Sequence, residues 1–448
     1  MRFRWRLGRG ARRPWQEELV LKRCLEIASA ILAPVSMRLH RFPWHGAAAA
    51  RPAHIVVGVT HAQTCMVLRN RLRALRVAGF RVTLVASPGP LLVRTAASEG
   101  VEFRALPMER GMALLKDAVA FLRLWWLLSR LGPDMTEFST PKAGLLGTLA
   151  ARMAGVPVRV YMLRGLRLEA SRGVERRILR AAERLAAGCA HIVLCNSQSL
   201  RRQALEMGLA PATKLCLLGR GSSNGVDVRR FAPCRGDMRQ ALALPASAPV
   251  VGFVGRLTYA KGLPDLIEAF ERILVVQPAA HLLLVGWFDA AEDALSQAWR
   301  ARIENHPRIH VTGMVDDTAP YYGAMDLLVL PTWREGFPNV VLEAASCGLP
   351  TISTWATGAR DAVVPGVTGL LIPPGYPSAI CAAVLQLLED PQRRRQMGVS
   401  ARAWAVEHYN TGQVLARTVD FYRGLMRQSR QDRHALPAAG GESVLHPV

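Results

Sequence analysis

Residues 331–350 read PTWREGFPNVVLEAASCGLP, and this stretch decides how the rest of the chain is interpreted. An apolar run before it, residues 325–330, is typical of a buried strand. A polar turn follows at 335–339, and residues 340–346 then predict a helix. Proline is favoured where such a helix starts, because its missing N–H would have no partner there. The stretch therefore predicts a strand, a tight loop and a helix whose N-terminus opens at the carboxyl end of a sheet.

Two carboxylates flank this predicted helix start, Glu335 in the loop and Glu343 within the helix. The free N–H groups and positive dipole of a helix N-terminus suit a phosphate. Two acids beside a phosphate site would then hold the hydroxyls of a nucleotide sugar. Acids near a helix start can also be partners of the dipole alone. From this stretch by itself, both interpretations stay open.

Upstream, a second cluster makes the nucleotide-sugar interpretation more specific. Residues 250–254 predict a strand, and Gly255 follows it at the start of a loop that carries Arg256 and Lys261. The glycine lets the backbone approach a phosphate, and two cations can neutralise a diphosphate. A later strand ends in Gly313, ahead of the two glutamates. This combination is far rarer than any of its parts.

Strands and helices alternate through both halves of the chain, and glycines stand at several strand ends. This pattern predicts an α/β protein with two doubly wound, Rossmann-like parallel-sheet domains that face each other across a cleft. A ligand would lie in that cleft, at the carboxyl ends of the strands. The predicted division is a basic extension (1–52), a first domain (53–230), a linker (231–248), a second domain (249–409), a terminal helix returning toward the first domain (410–427) and a disordered tail (428–448).

The charge balance points to an anionic partner. The 448 residues include 57 basic and 34 acidic side chains, a formal charge of +23. Nucleic acid, acidic lipid and a phosphorylated substrate all fit such an excess. A nucleic-acid-binding role would depend on charge alone, because no recognition motif accompanies it. The eight cysteines show no CxxC pair, which predicts reduced thiols in a cytosolic protein.

The first fifty residues differ from the rest, because arginines alternate there with tryptophans. The apolar run 19–35 is too short and too charged to span a bilayer, and it lacks a signal-peptide cleavage site. We expect this segment to lie on an anionic membrane surface, with a disordered basic tail or a misassigned start as alternatives. Residues 112–131 predict a core helix, although Trp125 and Trp126 allow a shared role at a membrane.

Three stretches resemble the signatures of the family 4 glycosyltransferases, which have the GT-B fold. They are VGFVGRLTYAKGLPDLIEAF (251–270), LPTWREGFPNVVLEAASCGLPTIST (330–354) and GARDAVVPGVTGLLIPP (358–374). In the first half, residues 139–169 and 218–231 are similar to a bacterial branch that builds capsule, exopolysaccharide and other lipid-linked oligosaccharides. The resemblance covers about residues 54–425.

The resemblance implies a role for each donor-site residue. Arg256 and Lys261 would grip the donor diphosphate, Glu335 would contact the transferred sugar, and Glu343 would hold the ribose. Arg256, Lys261 and Glu335 are thus the implied catalytic residues. The backbone around Gly336, Phe337 and Pro338 would border the sugar and the phosphates, and Gly313, Met314 and Val315 would flank the base. Gly255 is a further implied donor contact.

The implied chemistry is transfer with retention of anomeric configuration, without a metal or a cofactor. The donor substrate is a nucleotide sugar, which we expect to be UDP-linked. Fixed cations stabilise the departing diphosphate, and the acceptor hydroxyl attacks from the same face and passes its proton to that phosphate. No carboxylate nucleophile is required, in contrast to retaining hydrolases.

The first domain departs from the family pattern at two loops. Many members have histidines at the position of residues 137–139, where this chain has none, and residues 60–64 lack the usual double glycine. His61 is either an acceptor contact or an ordinary loop histidine. The acceptor-side candidates are His61, Ser139, Thr140, Lys142 and Arg164.

We therefore expect a glycosyltransferase that acts on a polyprenyl-diphosphate-linked saccharide in surface polysaccharide biosynthesis, bound peripherally to the inner face of the plasma membrane. A nucleotide-sugar epimerase of the same fold is the alternative enzyme class, and a nucleic-acid partner is not expected. The sugar, the base, the linkage, the acceptor length and the oligomeric state stay open.

Overall fold

The structure, a computed structural model, describes residues 51–109, 111, 113–234, 238–289 and 293–434. The predicted membrane-surface segment before residue 51 and the predicted tail from residue 435 onward lie outside the described residues.

The first domain is built on a seven-stranded sheet in which every strand pair is parallel. Its strand order is β3-β2-β1-β4-β5-β6-β7. The strands are β1 (His54–Gly58), β2 (Arg81–Ala86), β3 (Glu102–Ala105), β4 (Met135–Ser139), β5 (Val158–Leu163), β6 (Ile192–Cys195) and β7 (Leu215–Leu217).

A six-stranded, entirely parallel sheet forms the second domain. Its strand order is β10-β9-β8-β11-β12-β13. The strands are β8 (Val250–Val254), β9 (His281–Val285), β10 (Ile309–Val311), β11 (Leu327–Leu330), β12 (Thr351–Thr354) and β13 (Gly369–Ile372).

Helices cover both sheets. In the first domain they are α1 (Arg71–Val77), α2 (Pro90–Glu99), α3 (Leu114–Leu131), α4 (Pro141–Met153), α5 (Gly173–Cys189) and α6 (Gln198–Glu206). Those that follow are α7 (Met238–Ala241), α8 (Leu263–Val276), α9 (Gln297–Glu304), α10 (Ala319–Tyr322), α11 (Asn339–Ser346), α12 (Pro377–Glu389), α13 (Pro391–Tyr409) and α14 (Thr411–His434). Short 3-10 helices occur at Ala62–Leu68, Arg167–Glu169, Tyr259–Lys261 and Arg360–Ala362.

The central strands are buried along their whole length, as β1, β8 and β9 show. Continuous apolar runs suit parallel strands that are covered on both faces. Strand order reverses between β1 and β4 and again between β8 and β11. Such switch points open a crevice at the carboxyl ends of the strands. The fold therefore confirms the predicted pair of Rossmann-like domains of the GT-B type.

One predicted helix is divided in the structure. The sequence pattern of residues 66–78, which Gly79 closes, predicts a single helix, but a 3-10 helix at Ala62–Leu68 comes first and α1 begins only at Arg71. Asn70 separates the two with a φ of 64°, in the left-handed region that asparagine tolerates. Arg71 follows this break at the start of α1 and is buried, with its guanidinium bonded to Glu137 of β4.

In the predicted linker, Phe231 and Leu244 belong to the core of the second domain. After the second domain the chain returns to the first, and Val419, Tyr422 and Met426 of α14 belong to the core there. That helix runs to His434, seven residues beyond the predicted end at 427.

Helix α3 is both a core helix and a surface helix. Ala120, Leu124 and Leu128 are buried, whereas Leu122 and Trp126 are exposed. In the part of the chain that the structure describes, no helix is long and apolar enough to cross a bilayer.

Candidate functional site

The loop that carries the candidate phosphate ligands, residues 255–262, is termed the cationic loop. Its Leu257 N–H donates to the Trp287 carbonyl at 2.9 Å, and its Ala260 carbonyl accepts from the Trp333 N–H at 3.0 Å. Gly262 has a φ of 72°, and a Cβ there would lie 2.1 Å from the Pro331 carbonyl oxygen. The loop is thus held between the exits of β9 and β11, and glycine is required at the contact with β11.

Lys261 and Glu335 lie in contact although 74 residues separate them in the sequence. The Lys261 ammonium donates to Glu335 Oε1, and the side chains are 20% and 13% exposed. The Glu335 N–H also donates to the Thr357 carbonyl at 2.9 Å, which holds the backbone of this loop. A cation and a carboxylate that were predicted to serve one ligand therefore share one place.

Arg256 has a partner that the sequence did not indicate. Its Nη1 donates to Asp289 Oδ2 at 2.5 Å, and Asp293 Oδ1 lies 4.0 Å away. Both aspartates follow β9, and their distance from Arg256 in the sequence does not predict a contact. Their acidic character close to a predicted strand end was the only available signal.

Glu343 bonds to residues other than the Lys261–Glu335 pair. Its Oε2 accepts from the Tyr322 hydroxyl at 2.8 Å and lies 3.4 Å from Thr318 Oγ1. Burial raises the pKa of Glu343, although the hydrogen bond from Tyr322 opposes this rise. The structure thus brings Lys261 and Glu335 into contact, whereas Arg256 and Glu343 bond to other side chains.

The loop after Glu335 packs against the first domain. A Cβ on Gly336 would lie 2.0 Å from the Arg164 carbonyl oxygen, so only glycine fits. The Phe337 ring lies 5.3 Å from the Tyr409 ring. Pro338 is the N-cap of α11, one position earlier than a first helical residue. The Glu335–Pro338 loop therefore lies where the two domains meet.

Three of the acceptor-side candidates bond within the first domain. Thr140 Oγ1 lies 2.6 Å from Thr60 Oγ1, and Lys142 donates to Asp117 Oδ1 at 2.5 Å. His61 Nδ1 accepts from the Gln63 N–H at 3.3 Å, at the start of the 3-10 helix. Lys142 in particular joins α4 to α3, so its ammonium is already neutralised.

Ser139 and Arg164 are different, because they carry buried polar atoms that are unpaired. Ser139 Oγ and Arg164 Nε and Nη2 have no hydrogen-bond partner among the residues that the structure describes. Arg164 Nη1 donates to Ser223 Oγ at 2.8 Å. Burial lowers the pKa of Arg164 to about 10, so its guanidinium stays charged at neutral pH.

Beside Arg164 lies an ion pair that is completely buried. Arg71 Nη2 donates to Glu137 Oε2 at 2.9 Å, and the side chains are 1% and 0% exposed. Tyr422 of α14 donates its hydroxyl to Glu137 Oε2 at 2.5 Å. Burial alone would raise the pKa of Glu137, but Arg71 and Arg164 hold it below its usual value. Arg71, Glu137, Arg164 and Tyr422 form what we term the buried arginine cluster.

Gly313 lines a cavity of about 530 Å³ at the ends of β9 and β10. Gly286, Trp287 and Phe288 line it as well, and Met314 next to it is 54% exposed. The family resemblance implies that residues 313–315 flank the nucleotide base. The cavity is lined by none of Arg256, Lys261, Glu335 and Glu343, so it adjoins these residues without including them. In the described residues, no group of three or more His, Cys, Asp and Glu side chains is arranged to hold a metal ion.

Comparison with protein families matches both domains. The family described as "Glycosyl transferases group 1" matches residues 248–390, and "Glycosyl transferase 4-like domain" matches residues 66–221. The chain is 30% identical over 372 residues to the Staphylococcus aureus capsular polysaccharide biosynthesis glycosyltransferase CapM, covering 83% of this chain and 97% of that one. A UDP-Gal:alpha-D-GlcNAc-diphosphoundecaprenol alpha-1,3-galactosyltransferase of Escherichia coli is 28% identical over 63% of this chain and 73% of its own.

Solved structures share the architecture at lower identity. Anabaena HepE superposes with a TM-score of 0.67 at 21% identity, covering 82% of this chain and 99% of that one. Sucrose-phosphate synthase from Thermosynechococcus elongatus gives a TM-score of 0.70 at 22% identity over 84% of this chain and all of its own. These similarities show a common two-domain fold.

Proposed function

The chain belongs to the family 4 glycosyltransferases, and on that premise we propose that it moves a sugar from a UDP-linked donor to a polyprenyl-diphosphate-linked saccharide. That it is a glycosyltransferase follows from the family. The donor, the acceptor and the stereochemistry are our proposal. The product would be a building block of a surface polysaccharide.

The observation that supports the site is the contact between Lys261 and Glu335 on a loop anchored from both sides. The two side chains neutralise each other in this ion pair. When a nucleotide sugar binds, its diphosphate takes Lys261 and Arg256, and Glu335 turns to the hydroxyls of the sugar. Charge that grows on the diphosphate as the C1–O bond breaks then meets cations that are already in place.

Retention without a metal is the proposed stereochemistry. Lys261 and Arg256 supply the positive charge that a metal supplies in other transferases. The acceptor hydroxyl attacks from the face that the diphosphate leaves, and its proton goes to the departing phosphate oxygen. No carboxylate needs to form a covalent intermediate.

The names of two relatives support the acceptor class. The E. coli relative is named for transfer to a diphosphoundecaprenol-linked sugar, and the S. aureus relative for capsular polysaccharide biosynthesis. Such an acceptor is anionic and anchored in lipid, which suits a chain with a formal charge of +23.

Helix α3 supports the proposed location at the inner face of the plasma membrane. It presents apolar and basic side chains to solvent along one side, Leu115, Val119, Leu122 and Trp126 beside Lys116, Arg123 and Arg130. A surface of this kind binds anionic lipid through apolar contact and charge together. Flotation with phosphatidylglycerol vesicles tests it, and binding that is unchanged in Trp126→Ala and Arg123→Ala would exclude this helix.

Thermal stabilisation by UDP, GDP, ADP and CDP tests the donor site. A ligand that binds only the folded protein must raise Tm. We expect UDP to give the largest shift and Lys261→Ala to lose it. Equal, negligible shifts with all four nucleotides would contradict the proposal.

Release of UDP from UDP-sugars separates the transferase from an epimerase. We expect release to accelerate when lipid-linked saccharides extracted from bacterial membranes are added. Conversion of one UDP-sugar to another without added acceptor would identify an epimerase instead.

A further inference from the structure

Three exposed aromatic side chains stand at the carboxyl ends of three neighbouring strands of the second sheet. Trp333 follows β11, Trp355 follows β12 and Tyr376 follows β13. They are 51%, 50% and 58% exposed. We term this surface the aromatic rim. Large aromatic residues stabilise a protein chiefly when buried, so three exposed ones at a single sheet edge indicate a surface for binding.

The ring of Trp333 is held in place. Its side chain lies beside Asp265 in the first turn of α8, and this neighbour opposes the rise that burial causes in the pKa of Asp265. A Cβ on Gly375 would lie 2.4 Å from the Trp333 ring, so the indole rests directly on that glycine. The adjacent Tyr376 begins the entry into α12. A fixed and half-exposed indole loses little entropy when a ligand stacks on it.

Polar groups accompany the middle of the rim, at Trp355. The backbone N–H of Trp355 donates to the Ile372 carbonyl at 3.0 Å, which joins the exits of β12 and β13. Two residues later, Thr357 Oγ1 donates to Glu169 Oε1 at 2.8 Å. Burial raises the pKa of Glu169, and Arg334 and Arg360 lie close enough to oppose this rise. Flat apolar surfaces beside charged and hydroxyl groups match sugar rings, which have C–H faces and polar edges.

The position of the rim indicates which sugar it would meet. Along the sheet edge, the cavity beside Gly313 lies at β9 and β10, the cationic loop follows β8, and Glu335 follows β11. The rim continues in the same direction, from β11 to the edge strand β13. In the proposed function, the base, the diphosphate and the transferred sugar occupy the first part of this edge. An acceptor must approach from the part that the nucleotide leaves open.

We propose that the aromatic rim is a saccharide-binding subsite that stacks on sugar rings of the acceptor glycan. This inference rests on the proposed function, because it assigns the acceptor of that reaction. It places part of the acceptor on the second domain, alongside the nucleotide-sugar site. Acceptor selection would then depend on Trp333, Trp355 and Tyr376 as well as on the first domain.

Saturation-transfer NMR with soluble oligosaccharides tests the subsite without turnover. The probes are α- and β-linked glucose, galactose and N-acetylglucosamine oligomers of two to four residues, added to the full chain with UDP present. We expect magnetisation to pass from the protein to at least one oligomer. This saturation signal should be lost in the Trp355→Ala/Tyr376→Ala double variant and kept in Trp355→Phe/Tyr376→Phe. The Phe variant keeps the stacking surface, so it separates stacking from a loss of folding.

Kinetics with extracted lipid-linked saccharides provide the second readout. Loss of two stacking contacts should raise the acceptor KM about tenfold and leave the UDP-sugar KM unchanged. Phe103→Ala is the matched control, since this phenylalanine is 37% exposed on β3 of the first domain and lies outside the rim. We expect Phe103→Ala to leave the saccharide signal and the acceptor KM unchanged.

Each other outcome is decisive. If UDP binds but no oligomer receives saturation and the double variant keeps the wild-type acceptor KM, the rim is not a saccharide subsite, and the proposed function stands. If neither UDP nor the other nucleotides bind, the proposed function itself has failed. If the double variant loses binding to phosphatidylglycerol vesicles and keeps its saccharide signal, the rim contacts lipid and the inference is overturned.

Discussion

Cationic side chains are paired differently at the carboxyl edges of the two sheets. In the second domain each candidate cation has its own carboxylate, Lys261 with Glu335 and Arg256 with Asp289. These pairs are partly exposed and lie on loops. In the first domain Arg71 pairs with the buried carboxylate of Glu137, and the charge of Arg164 also acts on that carboxylate. Two guanidinium nitrogens of Arg164 are unpaired within the described chain.

The difference separates binding from stability. Partly exposed ion pairs contribute little to folding, so their partners can be exchanged for a ligand at low cost. Removal of one partner from a buried pair lowers the free energy of unfolding strongly, because it leaves an uncompensated charge in the interior. The ion pairs at the sheet edge of the second domain can thus exchange a protein partner for a ligand. The buried pair at the sheet edge of the first domain holds α14 and the sheet together through Tyr422.

The largest expected effect is on activity at the second edge. Glu335→Ala or Lys261→Ala should lower sugar transfer about 10³-fold, because each removes a group that acts on the reacting sugar or diphosphate. Since both side chains are partly exposed, Tm should change little. Initial rates and thermal melts measure the two effects, with Glu389→Ala at the exposed end of α12 as control. Wild-type rates in either variant would exclude the site.

At the first edge, stability should respond instead. Glu137→Gln leaves Arg71 and Arg164 without a buried counter-charge, which should cost about 3 to 5 kcal/mol of unfolding free energy. Urea unfolding followed by circular dichroism measures it. The matched control is Glu102→Gln, because Glu102 pairs with Arg81 on the same sheet but is 41% exposed. An equal, small loss in both variants would refute the contrast.

Glu183 in the first domain predicts a pH effect of intermediate size. Its Oε2 accepts from the Tyr161 hydroxyl at 2.7 Å, and burial raises its pKa from 4.5 to about 7. A raised pKa in the folded state favours folding below the unfolded pKa, and this contribution is lost as pH rises through the folded pKa.

Relative to Glu183→Gln, the wild type should therefore lose about 2 to 3 kcal/mol of stability between pH 4.5 and 7.5. Urea midpoints across this range measure the difference. Glu175→Gln, an exposed change on the same helix, should run parallel to the wild type. Parallel curves for Glu183→Gln as well would show that the carboxyl is ionised in the fold.

The smallest expected effect concerns the competition for Arg256. Asp289→Asn removes the charge that pairs with Arg256 and should tighten UDP binding roughly fivefold, about 1 kcal/mol. Calorimetric titration measures it, with Asp420→Asn on α14 as control. Weaker binding in Asp289→Asn would mean that Asp289 orients Arg256 and does not compete with the diphosphate.

Local patterns in the sequence were sufficient for the architecture and for part of the site. Apolar runs followed by glycines predicted the strands, since a parallel strand covered on both faces needs an unbroken apolar sequence. They were less informative at residues 66–78, where the backbone turns at Asn70 and a helical pattern cannot reveal a left-handed residue. The contact of Arg256 with Asp289 was also not predicted, because it joins two different loops.

The sequence by itself determined the two-domain α/β class, the cationic loop and the two glutamates, because each depends on residues close together in the chain. Only the tertiary structure decided which charges meet. Lys261 reaches Glu335 across 74 positions, and the buried arginine cluster joins residues from 71 to 422. Such contacts depend on how strands align at a sheet edge and on how α14 returns to the first domain. That geometry results from packing of the whole chain, which no local pattern encodes.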